Sequence, residues 1–507
     1  MADAWAAQRC RGAKWGAAFG VLSLAIFAIQ VALFWPFTID DAFITFRYIR
    51  QFVAGNGLVF NIGERVEGYS NFLWLMLLSP FHALGLDLVV VAKAIGVLLA
   101  VITLWLTAQL AAPLGCGWIA ALLLVATAPF AVWAVGGLET MLFACLFAAS
   151  ALAFVQEEET GKGAWSSVLF ALLALTRPEG VLFGALAAAL RAAKLWRERR
   201  APAIHDWWRL GLWLAPPLVH LAWRLNYYGY PLPNTVYAKS LGLHPRAFIE
   251  GAHYLYTSAT TLGGVALLLV GSFVVVWRVR ALRYAYLLAA VLAYAAFTFA
   301  GGGDWMPAQR FLVHVLPAVV VLASVGLQWL ADQFEARQRA YVLGGVAGAQ
   351  VVFLLMGSAD LFLVRRIVSN NVEYFDSALL SYVTSNLRSG ESIAVNDAGL
   401  ISYLLPLDVR VIDMFGLADA HIAHLKPRFP SGLLGWGDAF GKWDTDYVLA
   451  QKPKLIQLTL YPSPEGDGFV SPHTSNRELL ADARFQQQYR PVSDTLPLRA
   501  LYQRITP

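Results

Sequence analysis

The run WGAAFGVLSLAIFAIQVALFW (Trp15–Trp35), continued by PFTIDDAFITFRYIR (Pro36–Arg50), decides the fold. An uncharged apolar run of this length is enough for a helix to cross the ~30 Å hydrocarbon core of a bilayer. Arg9, Arg11 and Lys14 precede it, and Asp40 and Asp41 follow it. Basic residues stay on the cytoplasmic side, so the two acids are expected at the outer mouth of the first span. A signal peptide shares such a basic start. This apolar run is long for one, and no small-x-small site precedes polar sequence, so it reads as an uncleaved anchor.

The remaining chain repeats the pattern. Of 507 residues, 58% are hydrophobic and 14% charged, against about 45–50% and ~25% in soluble domains. That balance excludes a cytosolic enzyme, a disordered chain and a nucleic-acid binder, and the net charge of +5 is mild. Cys10, Cys116 and Cys145 lie in or beside apolar runs, so no disulfide framework is visible. Further apolar segments occur at Leu88–Ala112, Trp118–Val135, Leu138–Val155, Trp165–Leu175, Val181–Ala193, Trp208–Leu225, Leu262–Trp277, Tyr284–Ala300, Phe311–Leu330 and Tyr341–Val364. The expected architecture is an all-α polytopic membrane bundle of about eleven transmembrane helices.

Basic residues gather at the N-terminus, between Arg191 and Arg209, at Arg278, Arg280 and Arg283, and at Arg337 and Arg339. If all four clusters are cytoplasmic, an even number of crossings separates the first two. Asn71–Leu86 is then a helix lying at the outer interface. Lys93 and the Arg365–Arg366 pair fall outside as small exceptions. The short segments Trp165–Leu175 and Val181–Ala193 flank Thr176-Arg-Pro-Glu-Gly180, which predicts a polar break covered by protein or water; one kinked span is the alternative. Residues 1–365 thus form the membrane domain. The polar tail, 366–507, is expected outside as a small α/β domain, with strands at Ser392–Val395, Val409–Ile412, Tyr447–Ala450 and Leu455–Leu458 and a helix at Ser377–Arg388.

With that sidedness, unusual polar residues recur in every outer loop: Asp40, Asp41, Glu64, Glu67, Tyr69 and Asn71; Glu139; Arg177 and Glu179; Asn234, Tyr237 and Lys239; Asp304, Trp305 and Arg310. Charge at membrane depth is costly and points to function. Neighbouring residues on a helix point about 100° apart, so one acid of the Asp pair can face a substrate while the other caps the predicted Ala42–Val53 helix. Arg310 and Lys239 suit an anionic group, with snorkelling to headgroups as their alternative. Arg177 has pairing with Glu179 or Glu139 as its alternative. Gly301-Gly-Gly-Asp304 lacks the Lys-Ser/Thr of a phosphate loop. In the tail, Asn396-Asp397 and Asp413–His421 sit at strand ends, where α/β folds place sites and where turns also need such residues. No histidine spacing supports a metal site.

Three first-loop motifs carry a resemblance: Ile39-Asp-Asp-Ala-Phe-Ile-Thr-Phe-Arg-Tyr48, Gly55-Asn-Gly-Leu-Val-Phe-Asn61 and Glu67-Gly-Tyr-Ser-Asn-Phe-Leu-Trp74. Gly137-Leu-Glu-Thr140, Thr176–Gly180, Pro233-Asn-Thr235, Gly302-Gly-Asp-Trp-Met306 and Asn396-Asp-Ala-Gly399 continue it in order over most of the chain. The sequence resembles a bacterial family of membrane arabinofuranosyltransferases, with members acting in arabinan synthesis and on type IV pilins. The resemblance implies a chain shorter than the mycobacterial members, chiefly in the tail.

That family belongs to the GT-C class. The resemblance implies a helical bundle with an acidic first outer loop, interfacial helices and a C-terminal extracytoplasmic domain. It also implies a polyprenyl-phosphate sugar donor, with arabinofuranose as the pentose, a glycan or pilin-type acceptor, and an essential carboxylate at Asp40 or Asp41. The expected site has Asp40 as base and Asp41 positioning it, with Arg310, Lys239 and Arg177 on the donor phosphate. Glu139, Glu179, Glu67, Tyr69, Asn234, Tyr237, Asp304, Trp305, Asn396 and Asp397 would contact sugar or acceptor. A phosphate leaving group needs no obligatory acid, unlike glycoside hydrolysis, and no cofactor is called for. The expected location is the bacterial inner membrane, with site and tail outside. The competing class is a transporter or flippase of lipid-linked sugars, which often shows paired broken repeats; one broken pair and no second copy is seen.

Overall fold

The computed structural model describes residues 13–114, 117–239, 244–279, 281–358, 377–428, 441–463, 469–495, 497 and 500–505. Arg9, Cys10, Arg11, Cys116, Arg280, Arg365, Arg366 and the expected 365/366 boundary lie outside the described residues. The chain separates into two compact units, each assembled from three stretches. The first comprises Met1–Phe37, Val89–His220 and Phe248–Val368. The second comprises Thr38–Leu88, Leu221–Ala247 and Ser369–Pro507.

The first unit is helical. Among the described residues, five helices are long and apolar enough to cross a membrane: Leu88–Ala111, Thr140–Thr160, Leu282–Gly301, Arg310–Ala331 and Gln338–Gly357. Two bent pairs raise the number to seven if each pair is one span. Against about eleven expected, five to seven candidates pass by length and composition among the described residues, with Ala18–Phe34 and Trp165–Thr176 as shorter apolar helices. Arg310–Ala331 and Thr140–Thr160 are buried along most of their length, as befits helices apolar all round. Arg310–Ala331 packs tightly because Gly326 has no side chain: a Cβ there would lie 2.0 Å from the Leu268 carbonyl oxygen. Small residues let membrane helices approach in this way.

One expected single span is broken, and another is one arm of a bent pair. Trp118–Val135 divides into Gly117–Ala126 and Ala128–Val135, bent by 66°. Pro129 has no N–H to give and its ring crowds the preceding turn, while the Thr127 hydroxyl donates to the Leu123 carbonyl at 2.8 Å. Leu262–Trp277 is one arm of the pair Pro245–Leu262 and Gly264–Trp277, bent by 98°. The predicted break after Leu175 is present: Trp165–Thr176 ends, Pro178–Gly180 forms a 3₁₀ turn and Val181–Arg197 follows. Arg177 is extended between them, with φ −153° and ψ 143°, the conformation that a following proline imposes.

The second unit holds a five-stranded sheet in the order β2-β1-β3-β7-β6. Its strands are β1 (Ser392–Val395), β2 (Arg410–Asp413), β3 (Leu455–Gln457), β6 (Tyr489–Pro491) and β7 (Leu501–Arg504). A separate hairpin pairs β4 (Tyr461–Pro462) with β5 (Phe469–Val470). β1 is parallel to β2 and β3, and β7 runs antiparallel to β3 and β6. One face carries a core that includes Ile412, Ile456, Leu479, Phe485 and Tyr502.

The expected strand at Tyr447–Ala450 is instead the end of a helix, Thr445–Ala450. Asp444 caps it, accepting from the Tyr447 amide at 2.9 Å, and that cap outweighs the β preference of Tyr-Val-Leu. The second strand begins one residue later than expected, at Arg410. The first-loop helix starts earlier than predicted, at Asp40 rather than Ala42, and runs to Val53 with Ile39 as its N-cap. Phe72–Ala83 has 12 residues, about 18 Å of helix at ~1.5 Å per residue, too short to cross ~30 Å.

Candidate active site

In the second unit, three parallel strands deliver polar side chains to one edge. Val395 of β1 is in register with Asp413 of β2 and Gln457 of β3. Asn396 and Asp397 follow β1 directly. The chain leaves β1 toward β2 on one side and returns to β3 on the other, so the strand order reverses beside these residues. Carboxyl ends of strands at such a reversal are where open α/β sheets form crevices.

The edge is held by a polar lattice. Asn396 Oδ1 accepts from the Thr459 amide at 2.9 Å and from Asn476 Nδ2 at 2.8 Å. Asp397 accepts from Gln457 Nε2 at 3.1 Å. Asp413 accepts from the amides of Phe415 at 2.9 Å and Ala418 at 2.8 Å. Burial pushes Asp413 up to about 7, against the pull of those two amides. Burial likewise raises Asp397 to about 6, although Gln457 and Thr459 favour its ionised form.

The Asp pair meets this edge. Asp40 does not cap its own helix. Its Oδ2 accepts from the Gly399 amide at 2.9 Å and its Oδ1 from the Leu400 amide at 2.8 Å. Both oxygens are thus taken by the turn after β1. Burial is the largest influence on Asp40, followed by the charge of Asp397, and together they push its carboxyl up to about 8 despite the two amides. Asp41 is half-buried and lies 3.7 Å from Lys239 Nζ. Asp41 also contributes to raising Asp40, Asp397 and Asp413, so four carboxyls share one neighbourhood. Among the described residues no group of three or more His, Cys, Asp or Glu side chains is arranged to hold a metal ion.

Other motif residues fasten the first loop to the tail. Arg47, fully buried, donates to the carbonyls of Phe60 at 2.9 Å and Val409 at 2.8 Å, and to that of Ser402. Asn61 exchanges two hydrogen bonds of 2.9 Å with the backbone of Val411, prolonging the sheet edge. Glu64 pairs with Arg410 at 2.5 Å. Asn234 donates to the carbonyls of Gly416 at 2.8 Å and Leu417 at 3.0 Å. The Tyr237 ring packs on His424, and its carbonyl accepts from Lys442 at 2.6 Å. Glu67 is buried against Arg224 at 2.7 Å; burial raises it to about 7 even with that cation beside it. The Tyr69 hydroxyl lies 3.1 Å from that of Tyr228.

In the first unit the expected residues form two ion-pair groups. Arg177 pairs with Glu139 and Glu179, each at 2.5 Å, so its alternative reading is what the geometry presents. Arg310 pairs through Nε with Asp304 at 2.7 Å and lies over the rings of Trp133 and Phe311. Trp305 is exposed.

Sequence reasoning passed over Arg47, Asn61, Arg224 and Gln457. Arg47 and Asn61 lie inside the quoted motifs. Arg224 was legible as a charge within an expected span, which requires a partner. Gln457 carried no signal.

Comparison with known proteins bears out the resemblance. The chain is 31% identical over 245 residues to a terminal beta-(1->2)-arabinofuranosyltransferase of Mycobacterium tuberculosis, covering 43% of this chain and 38% of that protein. It is 28% identical over 367 residues to the protein of the same name from Corynebacterium glutamicum, covering 60% and 50%. The chain therefore spans half or less of the length of these curated relatives. Two crystal structures of ArnT from Cupriavidus metallidurans share the fold. One, bound to undecaprenyl phosphate, has a TM-score of 0.51 at 14% identity and covers 78% of this chain and 86% of that one. The other, in the apo state, has a TM-score of 0.52 at 13% identity and covers 80% and 87%. Residues 366–505 match a family model described as "Domain of unknown function (DUF8728)".

Proposed function

We propose that the chain is a GT-C membrane glycosyltransferase that moves a pentose, arabinofuranose by likeness to its relatives, from a polyprenyl-phosphate donor to a glycan or glycoprotein acceptor outside the inner membrane. The observation that carries this reading is the Asp41–Lys239 pair at 3.7 Å, set beside Asp40 at the end of β1. A carboxylate and a cation at one point are what direct transfer from a lipid phosphate requires. The names of the arabinofuranosyltransferase relatives supply the pentose, and the undecaprenyl phosphate held by the ArnT structure supplies the donor class.

In this mechanism a carboxylate removes the proton of the acceptor hydroxyl. The hydroxyl oxygen bonds to the anomeric carbon as the bond from that carbon to the donor phosphate oxygen breaks. Polyprenyl phosphate leaves as a stable anion with the electron pair. The sequence favours Asp40 as base; the occupation of both Asp40 oxygens by backbone amides supports Asp41 instead. Asp40 then positions the helix that carries Asp41. Lys239, 3.7 Å from Asp41, supplies positive charge for the departing phosphate, and fixed charge in a water-poor site is effective.

The test uses membranes containing the full chain and a radiolabelled polyprenyl-phosphate pentose. Asp41→Asn is expected to lower transfer by about 10²–10⁴, the usual worth of a positioned base. Near-normal transfer by Asp41→Asn would overturn the assignment. Transfer that persists in detergent, without sealed vesicles, separates a transferase from a flippase.

A further inference from the structure

Within the first unit, four helices line an open cavity that the reaction does not use. The Thr140–Thr160, Trp165–Thr176, Val181–Arg197 and Ile204–Tyr228 helices line a space of about 190 Å³, roughly ten times the ~10–15 Å³ that one water needs on the same measure. Small residues on one face of Val181–Arg197 make its floor: Gly184, Ala187, Ala188 and Ala192. Phe154, Phe170, Leu195, Leu210 and Trp213 make apolar walls. Gly184 is needed for the closeness of the Trp213 indole, since a Cβ there would lie 2.3 Å from its Nε1.

Two buried N–H donors in this cavity have no acceptor: Trp213 Nε1 and Arg191 Nη2. Trp213 is only 8% exposed. The neighbouring carboxylates are engaged elsewhere. Glu157 accepts from the Ser166 amide at 2.9 Å and hydroxyl at 2.6 Å, and stands 3.8 Å from Arg191. Glu158 takes Arg191 Nε at 2.6 Å and Lys194 at 2.9 Å. Asp206 accepts from the Ala203 amide at 2.9 Å and lies 3.8 Å from Arg209. Arg209 itself donates twice to the Gly163 carbonyl. A buried donor without a partner is costly, so the cavity calls for oxygen acceptors joined to an apolar body.

The flanking sequence identifies the source of such a molecule. Trp207 lines the cavity; Trp165, Trp196 and Trp208 adjoin its lining residues Ser166, Leu195 and Trp207 in sequence, and all four are strongly exposed, with Arg197, Arg199 and Arg200 among them in sequence. Exposed tryptophans beside basic residues mark a membrane–water interface. Basic pockets between helices at that level take anionic headgroups.

We propose that this cavity binds one anionic phospholipid by its headgroup, with phosphate oxygens accepting from Trp213 Nε1 and Arg191 Nη2 and the chains lying along the apolar walls. The site stands independently of the transferase reading. The test is native mass spectrometry of the full-length protein released from nanodiscs of phosphatidylcholine mixed with phosphatidylglycerol. It is paired with thermal melting of delipidated protein titrated with each lipid and with inorganic phosphate. Preferential retention of phosphatidylglycerol, and a rise in Tm with that lipid alone, are the expected results. Arg191→Gln should weaken phosphatidylglycerol binding about tenfold, the worth of one charge-assisted hydrogen bond. Ala188→Leu keeps every donor but fills the space, so it should weaken binding similarly while melting normally in detergent. Equal retention of the two lipids, an equal effect of inorganic phosphate, or unchanged binding by Ala188→Leu would each overturn the proposal.

Discussion

The Asp40 carboxylate and the Gly399 amide are 359 residues apart in the chain and 2.9 Å apart in space. The first-loop acid thereby ends its hydrogen bonding on the turn that follows the first strand of the sheet. The tail, matched by a domain of unknown function, takes part in positioning the helix on which both first-loop acids stand.

Gly399→Ala tests that contact by steric means alone. Gly399 has φ −79°, a value any residue adopts. A Cβ there would nevertheless lie 2.0 Å from the Asp40 carbonyl oxygen and 2.4 Å from Oδ2. Overpacking of this kind typically costs about 1–3 kcal/mol. Limited proteolysis should show the tail cleaved faster and Tm lowered; a wild-type digestion pattern would refute the contact.

Asp40→Asn and Asp41→Asn should separate docking from chemistry. An amide at position 40 offers one acceptor where two backbone donors wait, so above about pH 8, where Asp40 is ionised, Asp40→Asn should increase protease sensitivity of the tail. Asp41→Asn should leave digestion unchanged and depress transfer. Variants that behave identically in both assays would show that the two acids do not divide the work in this way.

The raised carboxyls predict an unusual pH dependence. Asp40 goes from 3.8 to about 8, Asp413 from 3.8 to about 7, Glu67 from 4.5 to about 7 and Asp397 from 3.8 to about 6. In each case the folded form holds its proton more tightly than the unfolded chain. Their contribution to stability is therefore full below about pH 4 and is lost as pH rises through 6 to 8. The Tm of the purified protein, scanned from pH 5 to pH 8, should fall more steeply for wild type than for Asp397→Asn, which cannot ionise. A steeper fall in the variant would contradict the shifts.

Arg177 holds Glu139 and Glu179 together inside the first unit. Arg177→Ala leaves two buried carboxylates facing each other without a cation. Breaking a buried pair in this way costs about 3–5 kcal/mol. Arg177→Lys restores charge without the fork that serves two partners and should recover part of the loss in detergent melts. Equal melting of all three proteins would show the network to be idle.

Arg47→Lys probes the fastening of the first loop. One ammonium cannot reach the Phe60, Ser402 and Val409 carbonyls together, and each acceptor left buried and unpaired costs about 1–3 kcal/mol. The expected result is a lower Tm with the tail released to protease. Retained protection would mean that Asn61 and Glu64 suffice.

Much was legible in the sequence. The apolar runs marked the long helices, Pro178 marked the break after Thr176, and strand-like runs at Ser392–Val395 and Leu455–Leu458 located two of the parallel strands. Local chemistry explains the failures. Tyr447–Ala450 carries β-prone residues, but the capping of Asp444 acts within a single turn and wins. Trp118–Val135 has the composition of one span, but Pro129 divides it.

Composition and local pattern are properties of neighbours along the chain. They were enough to determine a membrane-crossing, mostly helical protein with a polar tail carrying a small sheet, and to single out Asp40 and Asp41 as acids at the end of an apolar run. Partnership is a property of neighbours in space. That Asp40 would be held by Gly399 and Leu400, that Asp41 would lie beside Lys239, and that Arg177 would close on two glutamates depended on hydrogen bonds and ion pairs between distant segments. Such bonds form only once packing has excluded water and brought those segments together, so tertiary structure alone assigned each charge its companion.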